Sequence, residues 1–97
     1  MKYLTNNGSA HGEHVVLIAG DLTGAARIAA FAYAKKGNHI VVASDNDAAG
    51  LKLTEDLHAR NIDVEFVHAN ADNDAELRTV VERTVAHYGH LDVQYLQ

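Results

Sequence analysis

The chain has 97 residues, enough for one domain at most. Hydrophobic residues make up 47% of it and charged residues 22%, a balance that excludes a disordered or fibrous chain. The formal net charge of -5 would repel a phosphate backbone, so we expect no nucleic-acid binding.

We expect neither disulfides nor a membrane segment. The sequence contains no cysteine, which excludes a disulfide framework and a thiolate metal site. The longest apolar stretch, residues 28–34, is far too short for a bilayer, and no run of signal-peptide length opens the chain. We therefore expect a cytoplasmic protein, with residues 1–13, rich in Asn, Gly, Ser and His, as a flexible arm.

From His14 onwards, apolar runs of strand length alternate with amphipathic runs of helix length, as in parallel βαβ units. The run at 15–19 is continuously apolar, which is typical of a central strand buried on both faces. A helix is predicted to begin at Thr23 or Gly24 and to close with two lysines and a left-handed Gly37. The later elements are predicted as strands over 39–44, 64–68 and 91–96, and helices over about 48–60 and 73–88.

The third helix has clear signals at both ends. Asn73 and Glu76 have the spacing of a capping box, and Gly89 is placed to stop the helix. Together the elements predict a three-layer α/β fold with a four-stranded parallel sheet in order 3-2-1-4. Right-handed crossovers put the first two helices on one face of that sheet and the third on the other.

This topology predicts two exposed surfaces. One is the open edge of the fourth strand; the other is the face covered only by the third helix, where apolar side chains of 15–19 and 40–43 would meet water. Association with a second copy would bury these two surfaces. We therefore predict a homodimer or higher oligomer formed through the fourth strand or the third helix. The alternative is a monomer whose N-terminal arm closes that face.

A glycine-bearing turn joins the first strand to the first helix. Its sequence, Gly-Asp-Leu-Thr-Gly-Ala-Ala at residues 20–26, suits a turn whose backbone N–H groups approach a pyrophosphate at a helix N-terminus. Asp45 follows the second strand, 19 residues after Ala26. A carboxylate there would accept both hydroxyls of an adenosine ribose and repel a 2′-phosphate, which favours NAD over NADP.

In this spacing, Gly20-x-x-x-Gly24-x-Ala26 resembles the Thr-Gly-x-x-x-Gly-x-Gly turn of the short-chain dehydrogenase/reductase family. Ala19 stands at the family's threonine, and Ala26 at its third glycine. The similarity continues through residues 34–37, 41–45 and 88–93. It implies that 14–97 form a Rossmann-like half-domain, the N-terminal, dinucleotide-binding half of the family's fold.

The resemblance also implies a set of cofactor-binding residues. Asn70 and Ala71 fall where the family usually has an Asp-Val pair beside the adenine ring, so Asn70 is expected to meet the exocyclic amine. The full implied set is Gly20, Leu22, Thr23, Gly24, Ala26, Asp45, Asn70 and Ala71.

The resemblance implies no catalytic residue in this sequence. The family's serine and Tyr-x-x-x-Lys pair fall beyond Val93, and none of the 4 tyrosines here has a lysine four residues later. We therefore predict an NAD-binding Rossmann module that resembles a truncated short-chain dehydrogenase/reductase and has no activity alone. The alternative is a non-enzymatic interaction or oligomerisation protein that keeps the half-fold without binding cofactor.

The implied site residues also have structural explanations. Gly20 and Gly24 suit any tight strand-to-helix turn, including turns that bind no nucleotide. Asp45, with Asn46 or Asp47, suits a helix cap. Turn and cap chemistry at a strand end would explain Asn70, Asp72 and Asn73.

Two histidine pairs have ligand-like spacing, His11-x-x-His14 and His87-x-x-His90. One lies in the predicted arm and the other across a helix end, with no carboxylate in fixed register, so we expect no metal site. Arg27 is expected to be a solvent-facing or phosphate-side charge.

Overall fold

The computed structural model describes residues 14–96. Strands and helices alternate along this part of the chain. The elements are β1 (Val15–Ala19), α1 (Ala25–Ala34), β2 (His39–Ser44), α2 (Asp47–His58), β3 (Val64–His68), α3 (Asp74–Tyr88) and β4 (Val93–Leu96). All pairings are parallel and the strand order is β3-β2-β1-β4, which confirms the predicted topology. The arm predicted at residues 1–13 lies outside the described residues.

The sheet separates two apolar cores, because successive side chains of a strand point to opposite faces. Val16 and Ile18 of β1 pack into the core beneath α1 and α2, while Leu17 and Ala19 pack into the core beneath α3. Every residue of β1 is 0% exposed, as its continuous apolar run predicts. The result is the three-layer α/β arrangement expected from right-handed crossovers.

One expectation about exposure is wrong. Apolar side chains of β1 and β2 do not meet water on the face that α3 covers: Leu17, Val41 and Ala43 are at most 1% exposed. Val80 of α3 is buried in the same cluster, and partly buried side chains around it complete the cover. Exposed apolar surface lies farther out, at Val85 of α3 and Leu96 of β4.

Helix α1 packs close to the sheet through small side chains. Ala26, Ala30 and Ala34 recur at every fourth position and are all buried. The helix ends at Ala34, so the two lysines that were predicted for its last turn lie beyond it, in a turn that closes at Gly37 with φ 81°.

Helix α3 begins and ends where its cap residues predict. The Asn73 Oδ1 accepts hydrogen bonds from the N–H groups of Ala75 and Glu76, at 3.0 and 3.1 Å. Glu76 does not complete a reciprocal capping box, because its Oε1 accepts from the N–H of Asn70 at 2.9 Å. Gly89 caps the other end in the left-handed conformation, with φ 92°. Within residues 14–96, no helix is both long enough and apolar enough to cross a membrane.

Candidate functional site

The β1–α1 turn has an unusual backbone. Gly20, Leu22 and Gly24 have positive φ values of 126°, 63° and 49°, and the residues between them do not. Alternation of φ sign is one feature of nests, in which successive N–H groups converge on an anion. This conformation is compatible with a phosphate group and also serves a tight strand-to-helix turn.

The side chains of this turn point away from that concavity at two positions. Leu22 is 2% exposed and Ala26 is 0% exposed, and both belong to the core beneath α1 and α2. The methyl group that replaces the family's third glycine is therefore absorbed by helix–sheet packing. Neither side chain is therefore available to a ligand, and the Ala26 N–H already donates to the Thr23 carbonyl oxygen at 3.1 Å.

The start of α1 is electrostatically different from the starts of α2 and α3. Gly24 occupies its N-cap without a side-chain hydrogen bond, and no acidic residue lies in its first turn. Helices α2 and α3 are capped by Asn46 and Asn73 and carry acidic residues in their first turns. The positive end of the α1 dipole thus has no anionic side chain of its own helix to offset it.

Asp45 follows β2 directly and does not cap α2. The cap is Asn46, whose Oδ1 accepts from the N–H of Ala49 at 3.1 Å. The buried Ser44 hydroxyl accepts from the N–H of Asn46 at 3.0 Å, which holds the backbone on both sides of Asp45. Within residues 14–96, the Asp45 carboxylate is exposed and makes no hydrogen bond. Helix capping therefore explains the presence of Asn46 and does not explain that of Asp45.

Asp45 borders a cavity of about 240 Å³ at the carboxyl ends of the strands. The lining residues are Gly20, Asp21, Asp45, Asn70, Ala71 and Asp72. Three of them are aspartates and none is basic, so the cavity favours hydroxyl and amine donors over additional phosphate groups. Half of the implied site residues meet here; Leu22, Thr23, Gly24 and Ala26 lie in the adjoining turn.

Asn70 combines the two roles considered for it. Its Oδ1 accepts from the N–H of Asp72 at 2.9 Å, and its own backbone N–H donates to the Glu76 carboxylate. These bonds shape the turn after β3, as expected if Asn70 serves turn chemistry. An amide oxygen has two lone pairs, however. The second is available to a donor in the cavity.

Sequence reasoning missed four residues of this site. Asp21 and Asp72 line the cavity, while Ser44 and Glu76 fix the backbones of Asp45 and Asn70. Asp21 and Asp72 sit within or next to recognised motifs, so their positions were visible in the sequence. The contacts of Ser44 and Glu76 depend on tertiary structure.

A histidine–aspartate pair lies beside the site. His68, at the end of β3, is 2.6 Å from Asp47 through its Nδ1 and the carboxylate Oδ1. The Asp47 carboxylate raises the pKa of His68 through this hydrogen bond and its charge, and Asp45 adds to the rise.

Arg27 is partly exposed on the outer side of α1, as expected of a solvent-facing charge. Its guanidinium is 2.7 Å from the Asp56 carboxylate, so it joins α1 to α2. Within residues 14–96, no three histidine, aspartate or glutamate side chains are grouped closely enough to hold a metal ion. His11, of the first ligand-like pair, lies outside the described residues.

A family model described as "short chain dehydrogenase" matches residues 14–95. The chain is 27% identical over 81 residues to short chain aldehyde dehydrogenase 1 of Euphorbia lathyris, covering 84% of this chain and 28% of that protein. It is 30% identical over 79 residues to an uncharacterized oxidoreductase of Thermotoga maritima, covering 81% and 31% of the two chains. The chain thus spans under a third of the length of these curated relatives.

Solved structures agree in fold. A short chain dehydrogenase from Mycobacterium smegmatis superposes with a TM-score of 0.78 at 22% identity, over 90% of this chain and 38% of that one. A short chain dehydrogenase/reductase from Burkholderia phymatum, solved in complex with NAD, superposes with a TM-score of 0.78 at 22% identity. The match covers 84% of this chain and 29% of that one. Sequence match and fold together show that the chain belongs to the short-chain dehydrogenase family.

Proposed function

We propose that residues 14–96 bind NAD across the carboxyl ends of the strands, within a nicotinamide-dependent oxidoreductase. The adenosine occupies the cavity between Asp45 and Asn70, and the pyrophosphate lies over the turn at 20–26. The observation that carries the proposal is Asp45: an exposed carboxylate without a hydrogen bond in the described structure, held at the rim of a polar cavity.

Asp45 suits the ribose. A carboxylate is a pure acceptor with two oxygens, which matches two adjacent hydroxyl donors. Because Ser44 and Asn46 fix the backbone on either side, binding has to order only the Asp45 side chain. Asp21 and Asp72 line the same cavity, so a 2′-phosphate would meet three negative charges. This charge pattern favours NAD over NADP.

Asn70 and Ala71 suit the adenine. The exocyclic amine needs an acceptor, and the Asn70 Oδ1 retains one lone pair after its bond to the Asp72 N–H. Ala71 lines the cavity with a small apolar side chain, which leaves room for a flat ring.

The turn suits the pyrophosphate. The alternating φ signs at 20–24 would let backbone N–H groups turn toward an anion, and the start of α1, which has no side-chain cap, adds the positive end of the helix dipole. Ala26 does not obstruct this approach, because its methyl is buried beneath the helix. When bound, the nicotinamide exchanges a hydride with substrate; the residues described here would bind and orient the rest of the molecule.

The test is titration calorimetry of the chain and its Asp45→Ala variant with NAD and with NADP. Charge-assisted hydrogen bonds contribute about 1.5–3 kcal/mol, and this exposed site calls for the lower part of that range. We expect the variant to bind NAD about tenfold more weakly and to lose most preference for NAD over NADP.

Glu82→Ala is the matched control, because it removes an exposed carboxylate on α3 outside the cavity. It should leave the affinity for NAD unchanged. Equal NAD affinities for the parent chain and Asp45→Ala would remove Asp45 from the site. No binding of NAD, NADP or adenosine would overturn the proposal and favour a half-fold that serves interaction without cofactor.

A further inference from the structure

A second cavity lies on the opposite side of α1 from the sheet. It has a volume of about 590 Å³, and we call it the basic groove; its lining residues are Arg27, Ile28, Phe31, Ala32, Lys35, Lys36 and Arg60. It shares no lining residue with the cavity at Asp45.

The helical repeat of α1 creates this groove. Alanines at 26, 30 and 34 face the sheet, so Arg27 and Ile28 lie on the outer side of α1, and the partly buried Phe31 lies between the groove and the core beneath α1 and α2. Arg60 comes from the end of α2 and completes the opposite wall. The ion pair between Arg27 and Asp56 joins the two helices that line the groove.

The groove concentrates positive charge on an acidic protein. It holds four of the chain's 8 lysine and arginine residues, although the net charge is -5. The neighbouring carboxylate, Asp56, is already shared by Arg27 and Lys52 at 2.7 and 3.0 Å, and their hydrogen bonds lower its pKa. Lys35 and Lys36 form no ion pair within residues 14–96 and lie at the open end of the groove.

The floor of the groove is apolar. Phe31 lies under two guanidinium groups, with Arg60 at 4.8 Å and Arg27 at 5.6 Å from the ring centroid. These contacts hold the arginines over the ring. Ile28 beside it is 72% exposed, the highest value among the large apolar side chains exposed in residues 14–96. A ligand therefore meets an apolar surface surrounded by cations.

We propose that the basic groove binds an acidic peptide segment of a partner protein, one that carries apolar side chains between its carboxylates. Apolar side chains would cover Phe31 and Ile28, and carboxylates would pair with Lys35, Lys36 and Arg60. A long polyanion fits less well, because it would extend beyond the four cations of the groove onto a protein whose net charge is -5. A short peptide experiences mainly the charges within about 8 Å, the screening length at physiological salt.

The test uses a fluorescein-labelled decapeptide of alternating glutamate and leucine, with a glutamine–leucine decapeptide as its uncharged counterpart. Binding to the full chain is measured by fluorescence anisotropy at low and physiological salt. We expect saturable binding of the acidic peptide that weakens with salt, and no comparable binding of the uncharged one. Backbone amide shifts should centre on Phe31 and Arg60.

Two charge-reversal variants distinguish peptide binding in the groove from a general electrostatic attraction. Reversing both lysines, Lys35→Glu with Lys36→Glu, should weaken peptide binding at least about tenfold. Arg78→Glu, an exposed cation on α3, tests general charge and should leave peptide binding within about twofold. Both proteins should retain the parent's affinity for NAD and its circular dichroism spectrum. Failure of the groove and failure of the NAD site are therefore distinguishable.

Three results would overturn the proposal. The first is no binding of the acidic peptide, or equal binding of the glutamine peptide. The second is equal loss of binding in the lysine double variant and in Arg78→Glu. The third is tighter binding of heparin or of phosphatidylserine vesicles than of the peptide at physiological salt, with shifts in the same groove, which would assign it to a polyanion or a membrane surface.

Discussion

Gly50→Ala should destabilise the protein, although alanine is the better helix former. Gly50 is buried in α2 and lies against Phe66 of β3. A methyl carbon there would overlap Cε1 of Phe66 and lie 2.6 Å from the ring atoms Cδ1 and Cζ. Carbon atoms in contact normally stay about 3.5–4.0 Å apart. The ring or the helix must therefore move.

Two effects of opposite sign set the magnitude. Replacing glycine by alanine inside a helix gains about 1 kcal/mol of unfolding free energy. Overpacking a buried contact costs about 1–3 kcal/mol, and the Phe66 ring must give up part of its packing against the core beneath α2. Because the overlap is with several ring atoms, we expect a cost in the upper part of that range, about 2–3 kcal/mol, and therefore a net loss of about 1–2 kcal/mol.

Urea unfolding followed by circular dichroism measures this loss, and the Phe66→Ala background supplies the control. Without the ring, the same Gly50→Ala change should stabilise the protein by about 0.5–1 kcal/mol. The sign of the effect thus reverses between the two backgrounds. A stabilising effect of Gly50→Ala in the parent, or the same destabilisation in both backgrounds, would refute the reasoning.

Three further predictions concern the ends and edges of the fold. Asn73→Ala removes the acceptor for two N–H groups of α3 and should cost about 1 kcal/mol in urea unfolding; no measurable loss would contradict the cap. NMR titration should place the pKa of His68 above its ordinary value. The pair of His68 with Asp47 then stabilises the fold fully below about pH 6.5, and this contribution disappears as the pH rises through the folded-state pKa. Asp47→Asn should abolish the rise, and an unchanged pKa in that variant would assign it to another cause. We also propose self-association through the exposed Val85 and Leu96; sedimentation equilibrium giving 10.5 kDa at all concentrations would contradict it.

The sequence predicts the fold well because its local signals agree with one another. The unbroken apolar run of β1 can be satisfied only between two layers of helices, and Asn73 and Gly89 mark both ends of α3. The burial of β1 and β2 beneath α3 was mispredicted, since the width of cover depends on how side chains such as Val80 and Tyr88 spread over the sheet.

The candidate site was predictable in outline and not in detail. The turn and Asp45 follow from spacing, because strand ends of a parallel sheet meet at one edge. Asn46, and not Asp45, caps α2, which local sequence left open since both residue types suit a cap. The bond from Asn70 to Glu76 and the pairing of Arg27 with Asp56 join different elements, so no local pattern reveals them.

The central claim, that NAD binds at the carboxyl edge of the sheet, is tested most directly by titrating the ¹⁵N-labelled chain with NAD and following every backbone amide. The account predicts saturable shifts confined to the turn at 20–26 and to Asp45, Asn70 and Ala71, with little change at Phe31 or Arg60. Saturable shifts centred away from the cavity at Asp45, or no saturable shift at millimolar NAD, would contradict it.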